Sequence, residues 1–323
     1  MSIKYVIGID GGASKTQGVI FDSLGKTIAY QTTLGANLTI DEIGASNRVV
    51  NLITDLLNKS KLQFDQVSAV GIALAGASNE VGRERLFGLL DNLKISDKTI
   101  ITSDVESVYN FIWGQREGIL INVGTGVSCI GKKKNNFIRV AGKGHDNGDI
   151  GSGYWIGKEA MIEMGLKQST LNPDIDKIIL SALNHFKAQN YNDLVQEINA
   201  SEDRIPMIAS FAKPIISMAE KNNEVAIGIV QEATRVIGDY IIELKDILKY
   251  GNKDIIIAAN GSIIRNNYFR SELNNALSFE FSNIKWLFLD ISPAYTSGYL
   301  CAGLKGIEIN KKDIATKGAS IKS

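Results

Sequence analysis

Residues 5–22 read YVIGIDGGASKTQGVIFD and residues 118–132 read GILINVGTGVSCIGK. In both, a short apolar run meets a glycine turn and a second run follows at once. The first copy is strand Tyr5–Asp10, turn Gly11-Gly12, then strands Gln17–Asp22 and Lys26–Thr32 about the turn Asp22-Ser23-Leu24-Gly25. The second is strand Gly118–Val123, turn Gly124-Thr125-Gly126, then strands Val127–Lys132 and Phe137–Ala141. Identity between the copies is low, so the repeat is one of topology. It predicts two related α/β lobes, at 1–117 and 118–323, facing each other with both glycine turns at the cleft.

Outward from the first copy, Thr39-x-x-Glu42 has the form of a capping box, and Ile43, Val50, Ile53, Leu56 and Leu57 follow at helical spacing. Val67–Ala73 and Thr99–Thr102 are buried-strand runs with a helix over about Arg83–Leu93 between them, the alternation of a parallel sheet. Beyond the second copy the chain is helical in period from Ser152 to about Tyr250. The stripe Ile229, Val236, Ile237, Tyr240, Ile241, Leu244 is core packing. Strands return at Asp254–Ala259 and Ile284–Leu289, and a last helix starts near Pro293.

Composition excludes several classes. Among 323 residues, 35 Lys+Arg balance 35 Asp+Glu, so no positive excess exists to neutralise a nucleic-acid backbone. The basic run Lys132–Lys134, followed by Asn135-Asn136, reads as a solvated hairpin tip. Two distant cysteines, Cys129 and Cys301, are too few for a disulfide framework or a zinc or iron–sulfur site within one chain. No apolar stretch approaches the roughly 18 residues of a membrane span, and the N-terminal run is too short for a signal-peptide core. The expectation is a cytoplasmic protein without membrane or nucleic-acid partners.

Three glycine turns carry the chemistry. In Ile9–Thr16, an Asp closing a strand precedes two glycines, Ser14, Lys15 and Thr16. Glycine lets backbone N–H groups approach a polyphosphate, the hydroxyls and Lys add donors, and Asp10 can hold Mg²⁺ directly or through water. The P-loop spacing is absent. Gly124-Thr125-Gly126 is a similar hairpin with one hydroxyl. Asn260-Gly261-Ser262 follows a buried strand, and its glycine admits the flat face of a purine. Each alone is an ordinary turn; their joint order is informative.

The order and content resemble the sugar kinase/Hsp70/actin superfamily, and within it the branch of N-acetylglucosamine kinases and BadF/BadG/BcrA/BcrD-type ATPases. The carriers are IDGGASKT, NVGTGVS, AANGSII and GDIGSGYWIG at Gly148–Gly157, over roughly residues 5–305. The resemblance implies two actin-like (ribonuclease H-like) lobes with mixed sheets and an ATP/sugar cleft. It implies a kinase that transfers the γ-phosphoryl group of Mg-ATP to a hydroxyl, O6, of an amino sugar. Asp104 then matches the catalytic base, and Gly11, Gly12, Ser14, Lys15, Thr16, Gly124, Thr125, Gly126, Gly261 and Ser262 the ATP-binding positions. Asn37, Asp104, Ser128, Asp149 and Gly153 match sugar-binding positions, and Asp10 the Mg²⁺ ligand. By analogy alone, a homodimer is an option.

Two departures bear on the acceptor. Ile150 stands where amino-sugar kinases of this branch usually carry Glu, and Ser128 where some carry a sugar-facing Asn. Glucosamine and N-acetylmuramic acid therefore stand beside N-acetylglucosamine as acceptors. A dehydratase-activator ATPase would need cluster-spaced cysteines, which are absent. A non-catalytic sugar or nucleotide sensor on the same scaffold could dispense with the base, and Asp104 is present. His145, in a Gly-rich loop, reads as solvated or structural ahead of a ligand contact, His185 receives no role, and Tyr154 and Trp155 read as interface core.

Overall fold

The computed structural model describes residues 3–134, 136–142, 144, 149–166, 172–251 and 254–314. Contacts divide the chain into unit 1, Met1–Gln115 with Leu289–Ser323, and unit 2, Arg116–Phe288.

Unit 1 contains β1 (Tyr5–Gly11), β2 (Lys15–Asp22), β3 (Thr27–Leu34), α1 (Glu42–Ser60), β4 (Val67–Leu74), α2 (Glu80–Asn92), β5 (Thr99–Ser103) and α3 (Asp104–Trp113). It ends in the chain's last long helix, α11 (Pro293–Leu304). The sheet order is β3-β2-β1-β4-β5, antiparallel through the hairpins and parallel from β1 to β5. Side chains alternate between the two faces of a strand. Ile7, Ile9 and Ile20 therefore pack with Leu52, Leu56 and other apolar residues of α1, while Gly8 and Phe21 meet α11 on the other face.

Unit 2 contains β6 (Ile119–Val123), β7 (Val127–Lys133) and β8 (Asn136–Ala141). Then come α4 (Gly153–Leu166), α5 (Pro173–Phe186), α6 (Tyr191–Ala200), α7 (Arg204–Ser210), α8 (Ala212–Glu220) and α9 (Glu224–Leu248). It closes with β9 (Asp254–Asn260), α10 (Asn267–Leu277) and β10 (Asn283–Phe288). Its sheet order, β8-β7-β6-β9-β10, repeats that of unit 1 strand for strand. The predicted α/β architecture of mixed sheets flanked by helices is the one observed, with five strands in each sheet.

Four expectations change. Residues from 289 onward were grouped with the second lobe, yet α11 packs on β1 and β4. A Cβ at Gly8 or at Gly71 would lie 1.9 Å from the backbone oxygen of Ala294 or Ser297, so only glycines let the helix approach this closely. Helix α1 starts at Glu42, capped by Asp41, whose side chain accepts from the Gly44 amide; Thr39 instead follows an Asx turn made by Asn37. The stretch Lys132–Lys134 is not wholly solvated. Lys132 is only 5% exposed, with Nζ 5.5 Å from the Phe137 ring centre, and Lys133 donates to the Ile247 carbonyl at 2.7 Å. Lys134 alone of the three is exposed, at the turn. The fourth change, at Thr16, belongs to the site.

Candidate functional site

In unit 1 the parallel strands β1, β4 and β5 end level. Gly11 pairs with Leu74 and Leu74 with Ser103, so their carboxyl ends form one row. In open α/β sheets that edge is where ligands bind. Asp10 sits in β1 one residue before the turn, and Asp104 opens α3 beyond the end of β5. Strands are spaced by about 4.8 Å, which sets β1 and β5 roughly two spacings apart. Ser103 caps α3, accepting from the Glu106 amide at 3.3 Å, and this fixes Asp104 in the first helical turn. There the helix dipole favours an ionised carboxylate.

Asn37 reaches the same edge. It bridges to Ala75, the Leu38 amide donates to the Ala75 carbonyl at 3.0 Å, and the Ala75 amide donates to the Gly11 carbonyl at 2.8 Å. The Asn37 Oδ1 accepts from the Thr39 amide at 2.9 Å. That bond orients the side chain and leaves its amide nitrogen to donate.

In the turn after β1, Gly11 is fixed by packing: a Cβ there would meet Leu74 and Ala36. Gly12 differs, because a Cβ would find nothing within 4 Å. Ser14 and Lys15 are exposed at the turn. Thr16 does not join them. It shares the α1 face of β2 with Gly18 and Ile20, is 0% exposed, and its Oγ1 has no hydrogen-bond partner. Thr16, expected to add a hydroxyl donor beside Ser14 and Lys15, is instead turned inward by the alternation along β2.

In unit 2 three segments converge on the end of β6. The Gly124 amide donates to the Gly126 carbonyl at 2.9 Å, closing the turn. Helix α4 then abuts it from behind: the Gly153 amide donates to the Gly124 carbonyl at 2.7 Å and the Tyr154 amide to the Thr125 carbonyl at 3.0 Å. Ser152 accepts from the Trp155 amide through its hydroxyl and from the Ile156 amide through its carbonyl. The first-turn donors that a helix ordinarily leaves open are thus all used. This accounts for Ser152 at the head of α4. A Cβ at Gly153 would stand 2.8 Å from the Gly124 oxygen, so Gly153 is a packing glycine that seats the turn.

The consequence is directional. In a trans peptide the C=O and the following N–H point opposite ways, and no cis bonds occur among the described residues. With the Gly124 and Thr125 carbonyls held by α4, the amides of Thr125 and Gly126 face away from it. Gly124, like Gly12, would place a Cβ in open space. The third segment is Gly261, at φ +101°, where a Cβ would lie 2.2 Å from the Val123 oxygen; the Ile263 amide donates to that oxygen at 3.0 Å. Ser262 is exposed on this turn.

Ser128 and Asp149 are each 7% exposed. Ser128 pairs with Asn122, and Asn122 with Asn260, so the three share one sheet face, opposite to Cys129. The Ser128 hydroxyl is buried with no hydrogen-bond partner. An orphaned polar group of this kind costs ~1–3 kcal/mol unless a ligand pairs with it. Burial, and then the Asp149 carboxylate, push the Tyr240 hydroxyl above its ordinary range. Burial likewise pushes the Cys129 thiol far up, which makes it inert. His145 and the opening Gly148 of the Gly148–Gly157 string lie outside the described residues.

Sequence reasoning missed Ser152 as the α4 cap. The Ser-x-x pattern ahead of an apolar run was its available signal. Among the described residues no three His, Cys, Asp or Glu side chains gather into a metal cage. Asp10, a single carboxylate at the end of β1, is of the kind that suits Mg²⁺, which usually keeps waters and binds through one or two carboxylates plus phosphate oxygens.

A model of the BadF/BadG/BcrA/BcrD ATPase family matches residues 7–288. The N-acetylmuramic acid/N-acetylglucosamine kinase of Clostridium acetobutylicum is 30% identical over 303 residues, 91% of this chain and 96% of that one. The N-acetyl-D-glucosamine kinase of Dictyostelium discoideum is 23% identical over 332 residues, 94% of this chain and 100% of that one. A Chromobacterium violaceum structure, provisionally described as an N-acetylglucosamine kinase, has a TM-score of 0.74 at 18% identity, covering 93% of this chain and 100% of that one. That last likeness speaks for the fold.

Proposed function

The chain belongs to the BadF/BadG/BcrA/BcrD ATPase family, and from that membership we propose that it is an ATP-dependent kinase of an amino sugar, with N-acetylglucosamine as first acceptor and O6 as the hydroxyl phosphorylated. One observation carries the phosphoryl-transfer reading: in the Gly124–Gly126 turn the Gly124 and Thr125 carbonyls are held by α4, the Thr125 and Gly126 amides are directed away from it, and open space lies beside Gly124. Oriented backbone donors of this kind hold a phosphate without reorganisation during reaction. The amino-sugar reading is supported by the two relatives that align along nearly their whole lengths.

Phosphoryl transfer is mostly positioning and charge stabilisation. In this reading Gly11, Gly12, Ser14 and Lys15 of unit 1 and Gly124, Thr125 and Gly126 of unit 2 contact phosphates. Gly261 and Ser262 border the nucleoside. Asn37, Ser128 and Asp149 contact the sugar, and an absent sugar hydroxyl would leave a buried partner unpaired, which gives strong discrimination. Gly153 acts through the turn it seats. Asp10 would hold Mg²⁺, directly or through water, and the ion would supply neutralisation of phosphate charge. Asp104 accepts the proton of the acceptor hydroxyl as the new O–P bond forms and the bond to the ADP oxygen breaks.

The test is ADP release from Mg-ATP with N-acetylglucosamine, glucosamine, N-acetylmuramic acid, glucose or no sugar. Strong stimulation by one amino sugar is expected. ATP binding with no stimulation by any of them would refute the amino-sugar reading, leaving a nucleotide or sugar sensor or a kinase of an acceptor outside the panel.

A further inference from the structure

The first turns of α3 and α11 meet at a buried pair of hydroxyls, Ser107 and Thr296, that the roles above leave unused. Both residues are 0% exposed, and their oxygens lie 3.0 Å apart although 189 positions separate them in the chain. Ser107 Oγ is 2.9 Å from the Asp104 carbonyl oxygen, and Thr296 Oγ1 is 2.7 Å from that of Pro293. The pair therefore touches the turn that carries Asp104 on one side and the opening turn of α11 on the other.

Two hydroxyls carry two protons for these three contacts. The bond between the helices is made by one hydroxyl at the expense of its own helix's carbonyl, or by sharing a proton with it. Apolar side chains of similar shape would fill the contact without that demand, and replacing both partners together costs little. What the hydroxyls add is direction. A hydrogen bond fixes distance and angle between α3 and α11, whereas apolar contact leaves their mutual rotation loosely set. Helix α11 is itself seated on the strands that lead to Asp10. The Ala294 carbonyl rests against Gly8, two residues before Asp10. Ser292, the α11 cap, donates to Gln17 Oε1 at 3.2 Å, and Gln17 pairs with Asp10 in the register of β1 and β2. The opening turn of α11 is thus a common reference for both carboxylates, Asp10 through the hairpin and Asp104 through α3.

We infer that Ser107 and Thr296 are positioning residues that set the Asp104 carboxylate against the end of β1 where Asp10 lies. This rests on the kinase reading above, in which Asp104 is the base. It adds the two side chains that decide where that base stands. A base works only within hydrogen-bond reach of the acceptor hydroxyl, and a misplacement of about 1 Å costs up to about a hundredfold in rate.

The experiment measures kcat and the KM for Mg-ATP with N-acetylglucosamine, glucosamine and N-acetylmuramic acid as acceptors. It compares wild type, Thr296→Val, Thr296→Ser, Asp104→Asn and the double variant Asp104→Asn/Thr296→Val, with thermal unfolding of each. Should Thr296→Val not fold, Ser107→Ala removes the same bond from the other side. Loss of the bond is expected to lower kcat about tenfold with the KM for ATP unchanged. Thr296→Ser, which keeps the hydroxyl, should stay within about twofold of wild type. In the Asp104→Asn background Thr296→Val should lower kcat no further, because a residue acting through the base has nothing left to position. Unchanged kcat in Thr296→Val would overturn the inference and leave the kinase reading intact. An undiminished loss in the Asp104→Asn background, or Thr296→Ser as slow as Thr296→Val, would also overturn it and make the pair a packing contact. Full turnover in Asp104→Asn would remove the base reading, and no turnover of any acceptor by wild type the amino-sugar reading; the inference falls with either.

Discussion

In unit 1 the helix after the last strand, α3, packs beside its own sheet, and one 19-residue helix, α1, joins β3 to β4. In unit 2 the matching connection, β8 to β9, takes six helices among the described residues, α4 to α9, and the helix after the last strand, α11, lies on β1 and β4 of unit 1. The strand orders are identical. What differs is what each unit does with the edge where its parallel strands end. Unit 1 places two carboxylates there, Asp10 and Asp104, with Lys15 on the turn. Unit 2 places backbone amides and hydroxyls, braced by α4. One topology thus serves two chemistries, because the edge is built from turns and helix starts that can vary without disturbing the strands.

The sharpest way to break that division is at the carboxylates. Asp104→Asn should lower kcat about 10³-fold, within the range of general-base loss, while leaving ATP affinity nearly unchanged. Turnover within a few-fold of wild type would remove Asp104 from the base role. The α11 contrast is tested next. Gly71→Ala puts a methyl against the Ser297 carbonyl and should cost about 3 kcal/mol, read as a lower urea midpoint at similar slope. An unchanged midpoint would mean that the close seat of α11 is not needed.

A third comparison lies within unit 2, between Gly153 and the Gly124 whose carbonyl it holds. Gly153→Ala should lower stability by about 1–3 kcal/mol through its clash with the Gly124 carbonyl. Gly124→Ala meets no protein atom and should keep stability within about 0.5 kcal/mol while weakening nucleotide binding. If Gly124→Ala bound ATP normally, the open space beside it would not be ligand space.

The smallest effects concern unit 1. Asp41 is held below the ordinary carboxylate range first by the Gly44 amide and then by Arg48. Its cap therefore contributes above the unfolded pKa of about 3.9 and fades as pH falls through the lower folded value. Asp41→Ala should cost about 1 kcal/mol at pH 7 and less below pH 3. Thr16→Val should be neutral or slightly stabilising with activity unchanged, since it replaces an orphaned hydroxyl by a methyl. A large activity loss would return Thr16 to the phosphate turn.

Much of this architecture was present in the sequence. Apolar runs ending at Asp10-Gly11-Gly12, at Val123-Gly124 and at Asn260-Gly261 located the strands to within a residue or two, because strand burial and glycine turns are local properties. Asp104 was readable as a residue following a strand and opening a helix. The face on which a residue lies was less readable: Thr16 looked like part of a turn until the register of β2 turned it inward.

Some features were settled by tertiary structure alone. Sequence could not assign α11 to unit 1, since its partners Gly8 and Gly71 are more than 200 residues away and a glycine does not declare what approaches it. Nor could it say which glycines serve packing and which stand open, or bring the hydroxyls of Ser107 and Thr296 together. The physical reason is range. Hydrogen-bonded periodicity and turn conformation are fixed by neighbours in the chain, whereas close approach and side-chain pairing depend on distances between segments that only the packed fold sets.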